Sequence, residues 1–61
     1  MTAEALENLA SLNRDAAEFI RPEYPALASR FEAAASAADF LATQERAGEA
    51  ASRRQLTGTG L

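Results

Sequence analysis

Apolar positions recur at steps of three and four residues through most of this chain, the spacing that aligns side chains along one side of an α-helix. In the first third, Ala5, Leu6, Leu9, Leu12, Ala16, Phe19 and Ile20 gather on one side, with Glu4, Glu7, Asn8, Ser11, Arg14, Asp15, Glu18 and Arg21 on the other. The pattern predicts an amphipathic first helix over about residues 3–21. Thr2 suits its N-cap, and Glu4 and Glu7 suit the positive end of the helix dipole. Arg14 and Glu18, then Glu18 and Arg21, are spaced to pair along the solvated side. The run Arg21-Pro22-Glu23-Tyr24-Pro25 ends the helix, because proline disfavours the α conformation in the residue before it and brings no N–H to the preceding turn. Pro25, or Pro22, is placed to open the next helix.

That second helix is expected over about residues 26–51, and it carries two stripes at once. Tyr24, Leu27, Phe31, Ala34, Ala38 and Leu41 form one, expected to face the first helix. The other, Ala33, Ala37, Phe40, Gln44, Ala47 and Ala51, is rotated well away from it. A lone hairpin needs one buried face per helix, so the second seam is read as a protein interface, with Phe40 as its large anchor and Gln44 as a polar residue able to set register. Phe19 and Phe31 are read as ordinary core. Glu45 and Glu49 interrupt the inner stripe, so the helix beyond them has no expected partner in its own chain. Residues 52–61 lose the periodicity and are expected to be irregular, with Arg53, Arg54, Leu56 and Leu61 as residues that could hold a partner's surface.

A short connection makes the two helices antiparallel neighbours. The expected fold is therefore all-α, an antiparallel two-helix hairpin over residues 1–51 with a C-terminal tail, completed by oligomerisation or by docking on a larger assembly. Length sharpens this. At 61 residues without Cys or His, neither a disulfide nor a Cys/His metal site can supplement a small core, which leaves association as the remaining aid. In architecture alone the plan resembles small helical-hairpin dimers such as the Rop-type RNA-binding bundle.

Charge and chemistry then narrow the function. The six basic residues, all arginine, face nine acidic ones, for a net charge of −3. That balance argues against nucleic acid as the partner, since such affinity comes largely from neutralising phosphates. The carboxylates lie on the predicted solvated side, outside any cleft that would tune them for catalysis, so no catalytic residue, metal or cofactor is assigned. No signal peptide or membrane-spanning run is read in the sequence, and the expected location is cytoplasmic or within a virion. The expectation is a non-enzymatic structural or assembly protein that self-associates or serves as an accessory subunit, of a type suited to bacterial or phage particles. The alternative is a small acidic inhibitor or antitoxin-like protein that fills a partner's basic groove.

Overall fold

The computed structural model describes the backbone of residues 1–59 and the side chains of residues 1–53. Two helices, α1 (Ala3–Ile20) and α2 (Pro25–Thr59), make up the fold, packed antiparallel into a rod of 59 × 13 × 12 Å. The all-α hairpin predicted by the periodicity is present.

Local chemistry sets the helix ends. Thr2 sits in an extended conformation and its Oγ1 accepts from the Ala5 N–H at 3.1 Å, satisfying one of the donors that a helix start leaves without a partner. At the other end of α1, the N–H groups of Glu23 and Tyr24 both donate to the Ile20 carbonyl, at 3.1 and 2.8 Å. The Tyr24 carbonyl then accepts from the Ala28 N–H at 2.9 Å, so of the two prolines it is Pro25 that opens α2. Its ring occupies a first-turn position where no N–H is required. The connection needs no left-handed residue and no cis bond.

The seam between the helices differs from the expected one in which side chains it uses. Buried among the described residues are seven alanines and one leucine: Ala3, Leu6, Ala10 and Ala17 on α1, and Ala28, Ala35, Ala38 and Ala42 on α2. Ala3, Ala10 and Ala17 stand at seven-residue intervals, as do Ala28, Ala35 and Ala42. Ala3 clusters with Ala42, and Ala10 with Ala35; the same antiparallel register sets Ala17 opposite Ala28. A seven-residue repeat keeps one seam facing its partner along two helices, and methyl side chains let the axes approach closely.

The assignment of Leu9, Leu12 and Phe19 to the inner face of α1, and of Tyr24, Leu27 and Leu41 to that of α2, is corrected: all six are exposed. Phe19, read as core, is 87% exposed, and Phe31 is half-buried. In each helix the packing face is turned by roughly a fifth of a revolution from the one marked by the largest apolar residues.

The extent of α2 is also corrected. The helix continues to Thr59 instead of ending near Ala51, and the stretch expected to be irregular is helical as far as it is described. Ser, Arg, Gln and Leu are compatible with a helix, and glycine costs only about 1 kcal/mol there relative to alanine, so Gly48 and Gly58 do not stop it. From Ala42, level with the start of α1, α2 runs on as a single helix.

Candidate protein-interaction surface

The two long edges of the hairpin have opposite characters. Along one, three arginine–carboxylate pairs cross the seam: Arg46 with Glu7, Arg14 with Asp39 and Arg21 with Glu32. Their positions, 7, 14 and 21 on α1 against 46, 39 and 32 on α2, repeat at the same seven-residue interval as the alanines. Arg14 and Arg21 were expected to pair with Glu18 along their own helix; they reach across instead, because both flank the seam while Glu18 points away. The Arg46–Glu7 pair is bidentate, with Nε donating to Oε2 at 2.9 Å and a terminal nitrogen to Oε1 at 2.6 Å. That hydrogen bonding holds the Glu7 carboxyl below its usual range and Arg46 above its own; Asp39 likewise raises Arg14. Open depressions beside these pairs are lined by Arg14, Glu18, Arg21, Glu32 and Ser36, and by Thr2, Ala3, Glu4, Glu7, Arg46 and Glu49.

On the other edge lie Leu9, Leu12, Ala16 and Phe19 of α1 and Leu27, Ala34 and Leu41 of α2. At 100° per residue, these positions fall on the side of each helix away from the ion pairs. Exposure follows the same geometry. Leu9, Leu27 and Leu41, next to the seam, are 41–47% exposed, whereas Leu12 and Phe19, one step further out, reach 66% and 87%. Half-buried Ile20 and Phe31 continue the apolar surface into the seam. The side chains with most apolar area thus lie outside the hairpin's own core.

Compared with family models, with curated proteins and with solved structures, the chain matches none.

The predicted interface residues Ala33, Ala37, Phe40, Gln44, Ala47 and Ala51 are all exposed, on the outer face of α2 away from α1, with Phe40 63% exposed. Of the tail residues, Arg53 is exposed on α2; the side chains of Arg54 and Leu56, and Leu61 as a whole, lie outside the described residues. Asn13 is half-buried at the seam, and its amide donates to the Leu9 carbonyl of its own turn at 2.9 Å. Among the described residues, no group of three acidic side chains is placed to hold a metal, and no helix is long and apolar enough to cross a membrane. Sequence reasoning missed the Leu9–Leu12–Phe19–Leu27–Leu41 edge as a surface because it had assigned those residues to the interior. The alanine repeats and the matching charge repeat were the signal that would have relocated them.

Proposed function

We propose that the protein is a non-enzymatic assembly module, a helical hairpin that works by docking its apolar surface on other protein. One observation carries this reading: the hairpin fills its seam with alanine and leaves five large apolar side chains on a single edge in solvent. Monomeric proteins seldom expose contiguous apolar surface unless it serves recognition. The acidic and basic side chains nearest the seam are engaged with each other on the opposite edge.

The outer seam of α2, with Phe40 among alanines, is a second contact surface in this proposal. Two surfaces on different sides let one hairpin touch two neighbours, as a subunit of a larger particle must. A cytoplasmic or virion-borne complex suits such a part. The test is comparative affinity purification from the native source with tagged wild type, Leu12→Glu and the opposite-edge variant Glu18→Gln. The reading expects the same complex with wild type and Glu18→Gln and its loss with Leu12→Glu. Identical recovery with all three would refute it.

A further inference from the structure

We infer that the apolar edge formed by Leu9, Leu12, Phe19, Leu27 and Leu41 is covered by the same edge of a second copy, giving a symmetric four-helix dimer; this rests on the docking reading above and names its occupant. Size permits a specific contact. α1 has 18 residues and is therefore about 27 Å long, and two helices side by side are roughly 20 Å across. The footprint is about 500 Å² on each copy, or about 1,000 Å² for the pair, the size at which specific interfaces begin.

Composition points to the same occupant. Interfaces of obligate homodimers resemble a domain core cut in half, and this edge supplies large residues of which the intrachain seam buries one, Leu6, among the described residues. Charge is compatible with self-pairing. The chain carries a net −3, so two copies repel in general. Yet the α1 strip from Ala5 through Leu9, Leu12 and Ala16 to Phe19 contains no charged residue. A basic partner would be drawn elsewhere, whereas a copy of this chain can set its own uncharged α1 strip against this one, leaving Arg30 beside Leu27 and Glu45 beyond Leu41, of opposite sign, as the charges on the α2 half of the edge.

The experiment is sedimentation of the full chain over micromolar to submillimolar concentrations, with helicity followed by circular dichroism. Wild type is expected as a two-chain species, Leu12→Glu and Phe19→Glu as species with association weakened about a hundredfold, and the opposite-edge variant Glu18→Gln as a two-chain species like wild type. A wild-type monomer, an assembly of any other size, or a dimer dissolved by Phe40→Glu but not by the edge variants would overturn the inference. Should both edge variants lose their helicity, single-cysteine chains decide, since the protein has no cysteine of its own. Alkylation of the Leu12→Cys thiol by a soluble reagent is expected to slow as protein concentration rises, with no such change in Glu18→Cys on the opposite edge, and a Leu12→Cys rate independent of concentration overturns the dimer. A monomer that still shows the edge-dependent complex in affinity purification removes the second copy and leaves the docking reading standing.

Discussion

Replacing Ala35 with leucine tests the closeness of the two helices directly. Ala35 is fully covered and clusters with Ala10 and Ala38, at the middle of three alanine layers. Leucine is nearly as good a helix former as alanine, so any loss reports packing and not propensity. Its three extra carbons have no room where a methyl already closes the gap. Either the rotamer is strained or the axes move apart toward about 10 Å, which uncovers the layers of Ala3 with Ala42 and Ala17 with Ala28. Overpacking of this kind costs about 1–3 kcal/mol. Taking ~2 kcal/mol, and roughly 4–8 °C per kcal/mol for a domain of this size, Tm should fall by about 8–16 °C. The comparison is Ala33→Leu, the same change on the exposed outer face of α2, which should stay within about 0.5 kcal/mol of wild type. Both are melted by circular dichroism at one protein concentration, because association shifts apparent stability. Equal Tm values for the two variants would refute a seam of methyls in tight contact.

Three further outcomes follow from local contacts. Thr2→Ala removes the cap on Ala5 N–H and should cost about 1 kcal/mol, with Thr2→Ser restoring most of the lost Tm in the same melts. Arg14→Asp should lower Tm by opposing Asp39, and adding Asp39→Arg should recover it; a double variant no better than the single would show that the pair does not form. The Glu7 carboxyl should titrate by NMR below its ordinary 4.5 and move upward in Arg46→Gln. Since the folded value is depressed, the contribution of this pair is present above the unfolded value and is lost as pH falls through the folded one. An Arg46→Gln variant with the same acid-side stability profile as wild type would contradict that sign.

Helix existence, the hairpin turn and the Thr2 cap were legible because each depends on local sequence: three- and four-residue steps, prolines at 22 and 25, and a hydroxyl ahead of the first turn. The packing face was not, because bulk was taken as the guide to burial. Leu12 and Phe19 are larger than Ala10 and Ala17, yet the seam is built from the alanines, whose methyls let the two backbones approach closely. The seven-residue recurrence of Ala3, Ala10 and Ala17, echoed by Glu7, Arg14 and Arg21, held this information; matching it to Ala28, Ala35, Ala42 and to Glu32, Asp39, Arg46 needed the second helix in place. The end of α2 was misjudged for a different reason, since loss of apolar periodicity removes a packing face without removing helix propensity. On the candidate interaction surface, the outer seam around Phe40 was legible as an exposed stripe, whereas the apolar edge was visible only as a list of residues assigned to the interior.

The run of ion pairs along one edge settles something that alanine cannot. The alanine layers of the seam look alike after one helix slides by a heptad, so they alone do not fix the alignment. The charges do. Sliding one way sets Glu7 beside Asp39, and sliding the other way sets Arg14 beside Arg46, each replacing an attraction with a repulsion. The signs therefore work like the cuts on a key, and they would do so even if α1 of one chain met α2 of another, where no short connector dictates the match.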